Sequence, residues 1–112
     1  MKLLNLTPHE VNIILPSGAV AIPPEDVPMQ LVERYQHAGR IEGIPVKALR
    51  YGSPINLPEP KLGQLLIVSS IARHACGYRF DLVTPADLVR DDEGRVIGAK
   101  CLAGNAWIAG WL

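Results

Sequence analysis

The chain has 112 residues, and its 11 lysines and arginines are matched by 11 aspartates and glutamates. That length suits one domain, with a core large enough to fold without a disulfide or a metal. Formal neutrality argues against a dedicated nucleic-acid binder and against adhesion to an acidic membrane surface, since both draw on basic excess. It also does little to hold copies apart, so a homo-oligomer is expected.

The opening residues carry one lysine and a few apolar side chains before Asn5, Pro8 and Glu10 intervene, too short for a secretory leader. No run approaches the roughly 20 apolar residues of a membrane span, so a cytoplasmic protein is expected. Cys76 and Cys101 fit that compartment as ordinary small buried residues.

In chain order, Leu3 to Leu6 opens as a short apolar segment and Thr7-Pro8-His9 reads as a turn. Val11, Ile13 and Leu15 alternate as a strand should, Pro16-Ser17-Gly18 turns the chain, and Ala19 to Ile22 returns as the second arm of a hairpin. The prolines at 23 and 24 remove two ladder donors and end it. Val27 to Ala38 fits two descriptions: a helix capped by Asp26 and ended by Gly39, or a strand with Met29, Leu31, Glu33 and Tyr35 on one face. The strand is favoured, because Ile44 to Tyr51 offers a partner across a loop at His37–Gly43.

Gly52-Ser53-Pro54 breaks that partner strand, and Leu57-Pro58-Glu59-Pro60 reads as a surface connection of polyproline type. Gln64 to Val68 is the most apolar short run and reads as a central strand buried on both faces. A serine at 69 or 70 suits the N-cap of a short helix over Ile71–Cys76, with Gly77 in the left-handed position after it. Tyr78 to Val83 alternates as a strand that Thr84-Pro85 should end. Leu88–Arg90 and Arg95–Ile97 flank Asp91-Asp92-Glu93-Gly94, the pattern of a type I turn closed by a left-handed glycine. The apolar tail Gly104 to Leu112 either packs on its own core or meets another copy. The expected fold is mainly β (α+β): a compact single domain, residues 1–112, of antiparallel hairpins with one short helix after a central strand.

The sharpest chemical suggestion is the strand-to-helix junction. Ser69 and Ser70 would stand at a helix N-terminus with Arg73 in the first turn and Arg79 nearby, together a candidate ligand-binding site for a phosphate or carboxylate. The plainer account is that serine caps the helix while the arginines pair with Asp81 and Asp87. A serine nucleophile with His74 and Asp81 has the right residue types, but His74 lies along the same short helix and no nucleophile-elbow motif is present, so no catalytic residue is assigned. His9, His37, His74 and Cys76 show no metal-ligand spacing, and neither metal nor cofactor is expected. Tyr35, Tyr51, Tyr78, Trp107 and Trp111 could stack a planar ligand, although strand aromatics more commonly pack across strands.

Three segments taken in order carry a resemblance. They are Asn5-Leu6-Thr7-Pro8-His9; Leu57-Pro58-Glu59-Pro60 with Leu66-Ile67-Val68-Ser69; and Arg79-x-Asp81-Leu82-Val83-x-Pro85 with Val89-Arg90-Asp91-x-x-Gly94-x-Val96-Ile97-Gly98-Ala99. Together they resemble a family of small uncharacterised proteins of phages, prophages and various bacteria. Asn105 to Leu112 lies outside that pattern. The resemblance implies an accessory role in a phage setting, such as an anti-defence sponge for a nucleotide-like signal. The leading expectation is therefore non-enzymatic binding of a small anionic ligand. An interaction module acting on a host or phage protein is the second expectation, and a small hydrolase the third.

Overall fold

The computed structural model describes residues 2–112. Its centre is β6 (Gln64–Ile67), buried along its whole length as its unbroken apolar run requires. Because successive side chains of a strand point to opposite faces, β6 feeds two cores. Leu66 and Val68 join Leu6, Ala72, Cys76 and Leu82 on one side. Leu65 and Ile67 join Val83 on the other.

Around it runs a six-stranded sheet in the order β1 (Lys2–Asn5), β6, β7 (Leu82–Arg90), β8 (Val96–Ala103), β2 (Val11–Leu15), β3 (Gly18–Ile22). A separate two-stranded ribbon pairs β4 (Glu33–Ile41) with β5 (Ile44–Tyr51). Two short helices complete the chain, α1 (Ser70–Ala75) and α2 (Ile108–Trp111). The fold is mainly β, a single domain, and three hairpins are antiparallel as expected. The sheet also contains parallel pairings that no local pattern signals: β6 with both β1 and β7, and β2 with β8. Where β8 meets β2 the backbones lie close. A Cβ on Gly98 would sit 2.9 Å from the Asn12 carbonyl oxygen and 2.8 Å from Ile14 Cδ1, so glycine is required there.

The β7–β8 turn forms as its sequence asks. The Gly94 N–H donates to the Asp91 carbonyl at 3.0 Å, and Gly94 takes φ 82°. The Asp91 carboxylate accepts from the N–H groups of Glu93 and Arg95 and from Arg95 Nε, at 2.9 to 3.0 Å. The Arg95 N–H above all holds the Asp91 carboxyl below its ordinary value of 3.8, against the opposing effect of burial and helped by the Glu93 N–H and the Arg95 side chain. A carboxylate lowered in the folded state contributes stability that is complete above its unfolded pKa and lost as pH falls through the lowered one. The stability gap between wild type and Asp91→Ala should therefore be constant near neutrality and close as the pH drops below the ordinary aspartate range. Urea titrations of both proteins across that range measure it.

Four expectations require correction. The strand expected over Tyr78–Val83 begins at Leu82 and runs through Thr84-Pro85 to Arg90. Pro85 is tolerated because residues 81, 83 and 85 point their backbone groups toward β6. The Asp81 and Val83 carbonyls accept from Leu66 and Val68, but β6 has ended by Pro85, so no donor is missed there. Gly77 is absent from the left-handed positions; α1 is closed by Cys76 as its C-cap, whose N–H donates to the Ala72 carbonyl, so no left-handed residue is needed after it. In the 27–38 region a strand forms, but it starts at Glu33 and reaches Ile41. The loop expected at His37–Gly43 is correspondingly a two-residue turn, Glu42-Gly43, with both residues left-handed at φ 50° and 78°.

The tail packs on its own core. Ile108 and Trp111 lie against Leu65, Ile67 and Val83, and Trp111 Nε1 donates to the Gln64 carbonyl at 2.9 Å. Trp107 and Leu112 stay exposed. The β4–β5 ribbon behaves otherwise. Apart from Gly39 every one of its strand residues is exposed. The radius of gyration is 16.7 Å, against about 13 Å for a compact chain of this length.

Candidate functional site

At the strand-to-helix junction, Ser69 is the N-cap of α1, its Oγ accepting the Ala72 N–H at 3.1 Å. Ser70 Oγ lies 3.4 Å from Thr84 Oγ1, which ties the start of the helix to β7. Arg79 grips Asp81 through two bonds, Nε to Oδ1 at 2.9 Å and Nη2 to Oδ2 at 2.8 Å. It also donates to the Pro58 carbonyl at 2.6 Å, fastening the proline-rich connection to the body. Asp81 is wholly buried, and its hydrogen bonds hold the Arg79 guanidinium above its ordinary value despite the opposing effect of burial.

The junction thus separates the candidate residues by role. Ser69 and Arg79 have structural partners, as does the Ser70 hydroxyl. Arg73 differs: its Nε is sheltered from solvent and has no hydrogen-bond partner. Asp87, the second carboxylate considered for the arginines, instead accepts from the Cys101 thiol at 3.5 Å. Burial first, then this carboxylate, raises the Cys101 thiol. Both cysteines are free, and Cys76 is buried as expected; the burial expected of Cys101 requires correction, because its thiol lies at the surface beside the exposed Asp87.

The elements of a serine hydrolase are not assembled here. The acid that would orient a histidine is bound to Arg79, and the Ser69 hydroxyl is bound in the cap. His74 is exposed on α1. Among the described residues, no group of three or more histidines, cysteines or carboxylates could hold a metal. Among the described residues, no helix is long and apolar enough to cross a membrane.

Two concavities lie outside this junction. One, of about 280 Å³, sits where the ribbon leaves the body, between Tyr51, Ser53 and Pro54 on one side and Ala75, Cys76 and Tyr78 on the other. Tyr78 is exposed, and its phenol is raised by the burial it has and then by the Cys76 thiol, the reverse of what a base or nucleophile needs. The second is a groove of about 170 Å³ between β2 and the β7–β8 hairpin, with Glu10, Leu88, Val96 and Ile97 among its walls.

The most exposed apolar residues that strand formation brings together are on the ribbon itself. Cross-strand partners share a face, so pairing sorts the side chains. One face carries Ile41 opposite Ile44, then Val46 and Ala48, and nearer the body Arg34 directly opposite Arg50. The other carries Tyr35 opposite Leu49, and Glu33 opposite Tyr51. Tyr35 also donates to Glu33 at 3.1 Å, and that bond chiefly raises its phenol. Sequence reading found these strands but not their isolation, because alternating apolar residues look the same on a buried sheet and on a projecting ribbon. Against protein-family models, curated proteins and solved structures, the chain has no match.

Proposed function

We propose that the protein is a non-enzymatic interaction module, a small β body that presents the β4–β5 ribbon to a macromolecular partner. The observation that carries this reading is the ribbon's exposure, with Ile41, Ile44 and Val46 together on one face and Tyr35 and Leu49 on the other. Contiguous exposed apolar surface on a soluble domain marks a binding face, and a bare two-stranded hairpin is only marginally stable in water. A cytoplasmic setting agrees with the two free cysteines. The phage setting and any anti-defence role rest on the sequence resemblance.

The test replaces residues 35–49 by a short Asn-Gly turn, which joins the directly opposed Arg34 and Arg50, and compares binding by the two proteins. Partners captured by wild type, whether foreign or further copies of this chain, should be lost by the shortened one and rebind wild type as purified components. Equal capture by both sinks the reading.

A second reading keeps the small anionic, nucleotide-like ligand at Ser69, Ser70, Arg73 and Arg79, favoured by the unpartnered Nε of Arg73 on the helix that Ser69 caps. It expects inorganic phosphate, a nucleotide or a cyclic dinucleotide to raise the melting temperature, and Arg73→Ala to abolish the shift. A flat response across that panel rejects it.

A further inference from the structure

We infer that the β4–β5 ribbon is a dimerisation arm, and that its partner is a second copy of this chain, seated by reciprocal exchange on the groove between β2 and the β7–β8 hairpin. The inference rests on the interaction reading above and names the partner.

The arm's own chemistry specifies what must cover it. On one face Ile41, Ile44 and Val46 are 65%, 60% and 42% exposed. That same face sets Arg34 directly across from Arg50. Like charges directly opposite repel, and the ion pairs of the described residues join Arg79 to Asp81 and Arg95 to Asp91 and Glu93, leaving both arm arginines without one. The complement of this face is therefore an aliphatic patch bordered by carboxylates.

The second concavity has that composition. Leu88, Val96 and Ile97 are each about half exposed along it, and Glu10 stands in its wall. The acidic Asp91–Glu93 turn adjoins Val96 in the chain, and Arg95 occupies Asp91 and Glu93 while Asp92 has no such partner. The charge distribution agrees. The arm holds Arg34, Arg40, Lys47 and Arg50 against Glu33 and Glu42, which leaves the rest of this neutral chain acidic by two. A basic arm and an acidic body within one chain complement each other across two copies.

Area favours two copies over a single foreign contact. A nine-residue strand pair is about 30 Å long and about 10 Å wide, so one face offers on the order of 300 Å². One arm on one body removes roughly 600 Å² from water counting both sides, the size of an adventitious contact. Two-fold exchange makes every contact twice and reaches about 1,200 Å², where stable interfaces begin.

The test combines light scattering across a wide concentration range with cysteine cross-linking. Wild type should be a dimer. Ile41→Asp/Ile44→Asp on the arm and Leu88→Asp/Val96→Asp on the groove should each weaken dimerisation at least tenfold, with circular dichroism confirming that the body stays folded. In a Cys101→Ser background, Ile44→Cys and Val96→Cys chains, one of them tagged, should give a disulfide-linked heterodimer when mixed. Neither should cross-link alone. A monomer at every concentration, a dimer indifferent to both sites, or self-linking of Ile44→Cys overturns the exchange. A monomer that still binds a foreign protein through its arm rejects the second copy and keeps the interaction reading. A monomer that has lost nothing on arm shortening rejects both.

Discussion

Asp81→Ala should destabilise the protein by roughly 3–5 kcal/mol, because it leaves a nearly buried guanidinium without its counter-charge. Asp81 is fully buried, and the Arg79 side chain is 9% exposed. Two charges withdrawn from water in this way hold together through geometry, here a bidentate clasp at 2.8 and 2.9 Å. Removing one partner exposes the desolvation penalty of the other. Arg79 also carries structure outward: its side chain donates to the Pro58 carbonyl, and its own carbonyl accepts from Asn105 Nδ2 at 2.9 Å. One pair therefore links the proline-rich connection, the start of β7 and the C-terminal tail. Replacing both members with apolar residues, Arg79→Met with Asp81→Leu, should recover most of the loss, since a buried pair seldom outperforms well-packed hydrocarbon. Urea denaturation of the two proteins decides it. A loss under about 1 kcal/mol for Asp81→Ala would show that the clasp is not what holds the segment.

What local sequence specifies, the fold follows. The Val11–Ile22 hairpin, the Asp91–Gly94 turn, the Ser69 cap and the doubly buried Gln64–Ile67 run each depend on neighbours a few residues away, and each forms. Apart from the local end of α1, where Gly77 does not take the left-handed position, the misreadings are those settled by distant partners. Thr84-Pro85 looks like a strand end until β6 is seen to stop beside it. Glu42-Gly43 does not read as a two-residue turn because glutamate is an unfavourable left-handed residue, and only the pairing of Ile41 with Ile44 requires it there. The parallel contact of β6 with β1 sets Lys2 beside Gln64, and that with β7 sets Leu66 beside Leu82; neither follows from periodicity within a strand.

The candidate site was legible in residue type and not in commitment. Nothing in the order of residues distinguishes Arg79, held by Asp81, from Arg73, whose Nε is orphaned. Nor does composition reveal that a neutral chain places its basic excess on a projecting ribbon. Such a property appears only when pairing and exposure are known together.

Asn5→Leu should cost about 3 kcal/mol, more than most buried aliphatic exchanges of equal size. Asn5 reads from sequence as a polar interruption in an apolar segment, yet it is 1% exposed at the end of β1. Its amide is fully employed. Nδ2 donates to the His9 carbonyl at 2.8 Å and to the Ile22 carbonyl at 3.0 Å. Oδ1 accepts from the Thr7 N–H at 3.0 Å and from Thr7 Oγ1 at 2.6 Å. One side chain thereby fixes the turn between β1 and β2 and the end of β3, which the sheet order places on its far edge. Leucine fills the volume and satisfies none of these groups, although those nearest the surface regain water. Asn5→Asp separates the donor contribution from the acceptor one. At neutral pH its carboxylate would face two carbonyls with no proton to give, so the loss should equal or exceed that of leucine. Burial and those carbonyls raise the pKa of such a group, and protonation restores one donor. The deficit relative to wild type should therefore shrink as pH falls through that raised value. Paired urea titrations at neutral and mildly acidic pH measure it; a deficit independent of pH would mean that the amide protons contribute nothing to the fold.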